Sequence, residues 1–184
     1  KSLKQLKVTV GIDDFEIVEN YQTKLSAIIG LGHAVSFASG RMGFYALMKI
    51  EGIGVGDEVV LQGATCSVMV NAVLRTGAKP VFADIDQNTF GSSAKAIRKV
   101  LSFRTKMIVA QHSFGIPCDI KPIVELATNN SIFLLEDCAL TLGSSIDGVV
   151  CGNFGDAALF STDHSKPLNT LIGGLIYTKN TTLF

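Results

Sequence analysis

Residues 131–174 decide the fold of this chain, and they read SIFLLEDCAL TLGSSIDGVV CGNFGDAALF STDHSKPLNT LIGG. Two short apolar runs, 132–135 and 157–160, each end abruptly at polar residues. The first is followed by two acids, of which Asp137 is the second, and the other is soon followed by Lys166. Buried strands that end in this way place polar side chains at the carboxyl edge of an α/β sheet, where such proteins bind ligands. The stretch therefore predicts a site that includes Asp137 and Lys166.

Outside this stretch, short apolar runs alternate with segments whose apolar residues recur at helical spacing. This pattern predicts strands at 33–37, 58–61, 79–83, 106–110 and 175–178, and helices at 13–30, 41–50, 65–76, 92–101 and 119–130. Strands that alternate with helices favour right-handed βαβ units. The predicted fold class is α/β, a three-layer αβα arrangement around a mostly parallel central sheet.

Composition narrows the classes of function. Hydrophobic residues make up 47% of the chain and charged residues 17%, which is typical of a domain with a large core. Sixteen basic residues balance sixteen acidic ones without a basic patch, so we expect neither nucleic acid nor a membrane surface as a partner. No apolar run reaches the roughly 20 residues of a spanning helix, and the first residues, KSLKQLKVTVGIDD, do not predict a secretory signal. The expected location is cytoplasmic.

The four cysteines are Cys66, Cys118, Cys138 and Cys151, and none forms a CxxC pair. Only three histidines are available, and they are widely scattered. This spacing predicts no metal site and no disulfide framework, and the thiols are expected to be reduced.

Two residues of the opening stretch could carry chemistry. Asp137 either orders its loop or pairs with a protonated ring nitrogen, as in pyridoxal phosphate enzymes. Lys166 is either a solvated loop residue or a Schiff-base lysine, which partial burial would help to keep neutral.

Three further positions are candidates from the residues alone. Ser39-Gly40 lies between a predicted strand and a helix start, where free amides can bind an anion. Ser161 could add a hydroxyl to the same anion. His112 follows a predicted strand, and it either orders its loop or faces a substrate.

Seven stretches carry a resemblance to a known family: SGRMGFYAL, GIGVGDEVV, NAVLRTGAKPVFADID, TKMIVAQHSFGIPCDI, EDCAL, FGDAALFS and SKPLNTLIGG. They occur in the family's order over nearly the whole chain. The chain resembles the DegT-type aminotransferases, pyridoxal-phosphate (PLP) enzymes of fold type I that mostly aminate keto-sugar nucleotides. Such enzymes serve the biosynthesis of sugar nucleotides and cell-surface polysaccharides.

The resemblance implies roles for individual residues. Lys166 would bind the cofactor covalently and act as the catalytic residue. Asp137 would pair with the pyridine nitrogen, and Ala139 would pack beneath the ring. The turn at Gly40, through the amides of Arg41 and Met42, would hold the phosphate together with Ser161.

The resemblance also implies a homodimer with shared active sites and a C-terminal small domain, which this sequence lacks. Residues 1–184 would then be most of the PLP-binding large domain, and activity of this part alone is not expected. Three departures from the family pattern stand near the reaction centre: Cys66 replaces a stacking aromatic ring, and Leu140 and Ile172 replace polar residues.

Three functions follow as hypotheses. The first is transfer of an amino group from an amino acid, with glutamate as the expected donor, to a keto-sugar nucleotide. The alternative is a catalytically impaired relative that acts as a binding or assembly protein, which the three departures favour. A sugar dehydratase of the same fold is disfavoured, because such enzymes replace the lysine that is present here as Lys166.

Overall fold

The computed structural model describes residues 14–183. Helices and strands alternate through most of this range. In chain order they are α1 (Asp14–Ile29), β1 (His33–Phe37), α2 (Gly40–Ile50), β2 (Glu58–Gln62), α3 (Ser67–Thr76), β3 (Lys79–Ala83), α4 (Ala94–Val100), β4 (Thr105–Gln111), α5 (Lys121–Asn129), β5 (Phe133–Asp137), β6 (Ser145–Ile146), β7 (Val149–Val150), β8 (Ala157–Ser161) and β9 (Gly174–Thr178).

Seven strands form one sheet in the order β1-β9-β8-β5-β4-β2-β3. Strand β9 is antiparallel to both of its neighbours, and the remaining pairs are parallel. The carboxyl ends of the other six strands therefore meet at one edge, together with the amino end of β9. Because the sheet is covered on both faces, β2 and β9 are buried along their whole length, as their continuous apolar runs indicate.

Helices cover both faces of the sheet. On one face, α2 and α3 bury Phe44, Met48 and Val73 against strand residues that include Leu135 and Leu159. On the other face, α4 and α5 pack against Leu134 and its neighbours, and α1 packs against the side chains of β8 and β9. The predicted three-layer α/β fold with a mostly parallel sheet is confirmed.

Alternation along β5 sets the orientation of the site. Leu134 and Leu135 lie in the cores of opposite faces, and successive strand residues point to opposite sides. Glu136 therefore shares the α5 side with Leu134, and Asp137 shares the α2 side with Leu135.

Some local predictions were wrong or lie outside the described range. The apolar stripe predicted for the first helix is only partly buried, because Phe15, Val18 and Ile28 are exposed while Leu25 and Ile29 enter the core. Position 13, the first residue of the helix predicted at 13–30, lies outside the described residues. The glycine-rich middle of the opening stretch contains a short hairpin, β6–β7, that no periodicity indicated. None of the helices in residues 14–183 is long and apolar enough to cross a membrane.

Candidate active site

Asp137 is the last residue of β5 and is almost fully buried at the edge where the parallel strands end. Its Oδ1 accepts a hydrogen bond from the amide of Ala139 at 3.0 Å, the single donor to this carboxylate within residues 14–183. Burial raises the pKa of Asp137, although the Ala139 amide, His112 and Lys166 each act in the opposite direction. A buried carboxylate with one donor provides a binding position for a cation or a charged N–H group.

Lys166 is half-buried in the loop 162–173, between β8 and β9. The loop is closed at its base, because the amide of Thr162 donates to the Gly173 carbonyl at 3.0 Å and the Thr170 hydroxyl donates to Oγ1 of Thr162 at 2.7 Å. The Lys166 ammonium makes no hydrogen bond or ion pair with any residue that the structure describes. It acts on Asp137 only as a neighbouring positive charge. The loop that carries the amine is therefore fixed by hydrogen bonds at its base, while the amine itself has no hydrogen-bond or ion-pair partner among the described residues.

The turn before α2 has the features of an anion site. The amide of Met42 donates to the Ser39 carbonyl at 3.1 Å, so of the two predicted amides only that of Arg41 lacks an acceptor among the described residues. The Ser39 hydroxyl is buried, and it has no hydrogen-bond partner there either. Gly40 packs against Leu159, the residue that pairs in register with Asp137 on β8. The turn thus lies on the same side of the sheet as Asp137.

Gly174 joins this turn to the end of the lysine loop. A Cβ atom at position 174 would lie 2.3 Å from the backbone nitrogen of Gly40, a distance that no side chain can tolerate. Gly173 has φ +138°, which also favours glycine. The Gly-Gly pair is therefore required where the lysine loop packs against the start of α2.

Ser161 and Ala139 complete the predicted set. Ser161 ends β8 directly opposite Gly174, and its half-buried hydroxyl has no partner within the described range. Ala139 is half-buried and directs its amide to Asp137. The structure therefore brings Gly40, Arg41, Asp137, Ala139, Ser161 and the Lys166 loop to one edge of the sheet.

The side chain of His112 belongs to a separate hydrogen-bond network. Its imidazole is fully buried, Nδ1 accepts a hydrogen bond from the Cys118 amide at 3.0 Å, and Nε2 lies 3.1 Å from Oε2 of Glu136. Because Nδ1 is an acceptor, Nε2 carries the proton and donates it to Glu136. Of the two alternatives for His112, this geometry supports the ordering of the loop that follows β4.

Glu136 is a buried structural residue whose role no sequence pattern predicts. Its Oε1 accepts from the amides of Phe154 and Gly155, and its Oε2 accepts from the Gly152 amide in addition to His112. Burial alone would raise the pKa of Glu136, but these hydrogen bonds outweigh it and hold the pKa below the ordinary value. The partner amides lie 16–19 residues downstream in a glycine-rich loop, so no local sequence pattern could reveal them.

Further unpartnered polar atoms follow the carboxyl ends of strands. Besides Ser39, the buried atoms without partners in the described range are Oε1 of Gln62, Oγ1 of Thr65 and Oγ1 of Thr141. Gln62 ends β2, Thr65 follows it, and Thr141 follows β5. Buried polar atoms are rarely left unpaired in a protein. This edge therefore suits a polar ligand with an anionic group, as PLP is.

The cysteines do not add a second centre. His112, Glu136 and Cys138 place potential metal-ligating atoms within 4.8 Å of one another. However, both His112 nitrogens and both Glu136 oxygens are already engaged in hydrogen bonds. Burial raises the pKa of Cys118 to about 12 and that of Cys138 well above its ordinary value, so these thiols stay protonated at neutral pH.

The three departures from the family pattern differ in their surroundings. Cys66 is exposed at the start of α3. Ile172 is 71% exposed in the lysine loop, whereas Leu140 is half-buried after β5. Each occupies a position at the active edge without adding a polar group there.

Comparison with known proteins places these observations in a family. The family model "DegT/DnrJ/EryC1/StrS aminotransferase family" matches residues 4–184. The chain is 34% identical over 167 residues to GDP-perosamine synthase of Escherichia coli O157:H7, covering 91% of this chain and 46% of that protein. It is 36% identical over 161 residues to the spore coat polysaccharide biosynthesis protein SpsC of Bacillus subtilis strain 168, covering 88% and 41% of the two chains.

The structural comparison gives the same result. An aminotransferase from Psychrobacter cryohalolentis superposes with a TM-score of 0.92 at 26% identity, over 98% of this chain and 46% of that one. The chain thus spans less than half the length of these relatives. The family match over nearly all residues, together with the shared fold, shows that the chain belongs to the DegT/DnrJ/EryC1/StrS aminotransferase family.

Proposed function

We propose that the protein carrying this chain is a PLP-dependent aminotransferase that moves an amino group from an amino acid to a keto-sugar nucleotide. Glutamate is the proposed donor. The observation that carries the proposal is that three groups with unfilled hydrogen-bonding capacity lie at one edge of the sheet. They are the buried carboxylate of Asp137, the amine of Lys166, and the turn at Gly40. The names of the relatives support a sugar as the acceptor.

Each part of the cofactor has a candidate partner in the chain. Asp137 would hold the pyridine nitrogen, and Lys166 would hold the aldehyde carbon. The Arg41 amide and the hydroxyls of Ser39 and Ser161 would hold the phosphate, at the positive end of the α2 dipole. When bound, the cofactor supplies an electron sink that stabilises negative charge on the substrate carbon.

The chain's own residues then perform two tasks. Asp137 holds a proton on the ring nitrogen, because a buried carboxylate at this position stabilises a facing cation. When its amine is free, Lys166 would act as the general base that takes a proton from the substrate carbon and as the general acid that gives this proton back on the other side of the imine nitrogen. The closed base of the loop keeps the amine within reach of both positions.

The proposal extends to the domain organisation and the oligomeric state of the whole protein. In this proposal residues 1–184 make up most of the cofactor-binding large domain, and the rest of the protein includes a smaller C-terminal domain. The protein acts as a homodimer in which each active site includes groups from both subunits.

A second candidate function is a binding or assembly protein that retains the cofactor site without turnover. The observation in its favour is the apolar character of Leu140 and Ile172, where the family usually has polar residues. This candidate predicts a protein that binds PLP and never converts it to the amine form.

The test uses the full-length protein reconstituted with PLP and followed by absorbance. We expect a yellow band that L-glutamate bleaches and a keto-sugar nucleotide restores. Lys166→Ala should abolish the band, and Lys95→Ala, which alters an exposed lysine of α4, should leave it intact. A full-length protein that stays colourless would overturn the proposal. A yellow protein that no amino donor bleaches would favour the second candidate.

A further inference from the structure

Two phenylalanines stand exposed at the same edge of the sheet as the active site. Phe90 and Phe114 are 48% and 77% exposed, and their rings meet edge to face with centroids 6.3 Å apart and planes at 78°. Both residues have φ of 55°, in the left-handed region that non-glycine residues rarely adopt. Such strain persists only where the surroundings impose it, and it is concentrated at functional sites.

The loop that carries Phe90 is held firmly. Oδ1 of Asp86 accepts hydrogen bonds from the amides of Asn88 and Thr89, and the Phe90 amide donates to the Asp86 carbonyl at 2.9 Å. Gly91 packs so closely on Cys118 and on the Gln111 carbonyl that a Cβ would lie under 3 Å from each. Phe90 is therefore presented by an ordered loop.

The loop that carries Phe114 is equally constrained. The amide of Ile116 donates to the Ser113 carbonyl at 2.9 Å, and the Ser144 hydroxyl donates to the Gly115 carbonyl at 3.0 Å. The hydroxyl of Ser113 accepts from the amide groups of Gln62 and Gln111. Both rings are thus exposed on rigid supports, which lowers the entropy cost of binding a ligand to them.

The two loops connect directly to the end of β5. Gln111 pairs in register with Asp137, and the His112 amide donates to the Asp137 carbonyl at 3.1 Å, two residues before Phe114. The loop of Phe90 reaches the same strand end, because the Ser92 amide donates to the Gln111 carbonyl. The turn at Gly40 and the lysine loop lie on the other side of Asp137 in the strand order. The aromatic pair therefore occupies the edge from Asp137 toward β3, opposite to the lysine.

We propose that Phe90 and Phe114 form the subsite that stacks on the nucleobase of the sugar nucleotide. This inference rests on the proposed function, because the sugar must react next to Lys166 while the remainder of the substrate extends along the edge. Every nucleobase offers a flat π face, and an edge-to-face phenyl pair leaves ring surface open to receive it. Stacking of this kind tolerates different bases. The subsite would therefore contribute affinity, and other groups of the protein would select which base is bound.

The test measures binding of UDP, dTDP, GDP and inorganic pyrophosphate to the full-length PLP-loaded protein by calorimetry. Phe114→Ala and Phe90→Ala should each weaken the nucleoside diphosphates about tenfold, within the range that stacking on a base contributes, and leave pyrophosphate unchanged. Phe114→Tyr and Phe90→Tyr keep a ring and should retain binding. Phe103→Ala is the matched control, because Phe103 is 90% exposed at the opposite edge of the sheet, before β4.

Three results would overturn the inference. The first is that Phe90→Ala and Phe114→Ala both bind nucleoside diphosphates with an affinity within about twofold of that of Phe103→Ala. Another is equal weakening of pyrophosphate and nucleotides. The third is a shift in the monomer–dimer equilibrium by sedimentation with nucleotide affinity unchanged, which would assign the rings to contact between copies of the chain. Failure of the proposed function is distinguished from these, because it appears as absence of the yellow band in wild-type protein.

Discussion

Two adjacent carboxylates at the end of β5 have opposite environments. Glu136 accepts four hydrogen bonds on the α5 side of the sheet, and its pKa is held below the ordinary value. Asp137 accepts one hydrogen bond on the α2 side, and burial raises its pKa. Both oxygens of Glu136 are thus fully paired, whereas Asp137 has a single donor within the described residues.

This difference in donors distinguishes the structural role of Glu136 from the cofactor-binding role that we propose for Asp137. A fully paired buried carboxylate stabilises the loops that donate to it, here residues 112–118 and 152–155. An incompletely paired one costs stability until a ligand arrives. The same chemical substitution, carboxylate to amide, should therefore have opposite effects at the two positions.

The largest effect is expected for Glu136→Gln. Each Glu136 oxygen accepts from two donors, so whichever oxygen becomes an NH₂ group would face two N–H groups. We expect the free energy of unfolding of the cofactor-free protein to fall by about 3 kcal/mol, measured by urea denaturation. Glu125→Gln, at an exposed position of α5, is the control. A loss below about 1 kcal/mol would show that this carboxylate is not the anchor of its two loops.

His112→Ala should have the next largest effect. It removes one donor to Glu136 and leaves the Cys118 amide without its acceptor. An unfolding free energy lower by about 2 kcal/mol is expected, since a buried N–H group loses its partner. His164→Ala removes an exposed histidine that pairs with Asp163, and it should change stability by less than about 0.5 kcal/mol. Equal losses in both variants would contradict the buried role of His112.

Asp137→Asn should raise the stability of the cofactor-free protein by about 1 kcal/mol at pH 7, as substitutions at strained functional positions often do. The asparagine keeps an oxygen for the Ala139 amide and removes the buried charge. The same variant should bind PLP at least about tenfold more weakly, because the cation on the ring nitrogen loses its counter-charge. Thermal unfolding with and without PLP measures both, and Asp119→Asn, an exposed position, is the control. If cofactor-free Asp137→Asn is less stable than the wild-type protein, the opposite effects predicted for Asp137 and Glu136 are wrong.

The smallest effect is a pH dependence of that gain. Burial raises the pKa of Asp137 in the folded state, so the native state binds a proton on this carboxyl more tightly than the unfolded state does. The stability that this protonation contributes to the wild-type protein is therefore lost as the pH rises through the folded pKa. Glu136 has the opposite sign, because its lowered pKa gives stability above the unfolded value that is lost on acidification. The advantage of Asp137→Asn should therefore vanish near pH 4 and grow toward pH 7. Urea denaturation at both pH values measures it, and an advantage that does not change with pH would contradict the buried charge as its cause.

The sequence allowed the fold to be predicted, because parallel strands buried on both faces leave continuous apolar runs, and it indicated the edge at which the candidate residues meet. Asp137, Ser161 and the Lys166 loop follow such runs, so their meeting at one edge was foreseeable. The contrast between Glu136 and Asp137 was not, because the amides that pair with Glu136 lie in an irregular loop. The left-handed backbone of Phe90 and Phe114 likewise has no signature in composition or periodicity.

The close contact of Gly174 with Gly40 has a consequence for folding. It joins the turn after the first strand of the sheet to the segment before the last one, and β1 and β9 are hydrogen-bonded neighbours although more than a hundred residues separate them. Pairings of such long range close late, after the entropy of a large loop has been lost. The turn at Gly40 and the lysine loop can come together only at that stage. If PLP binds at this edge as we propose, its binding requires the sheet that β9 completes.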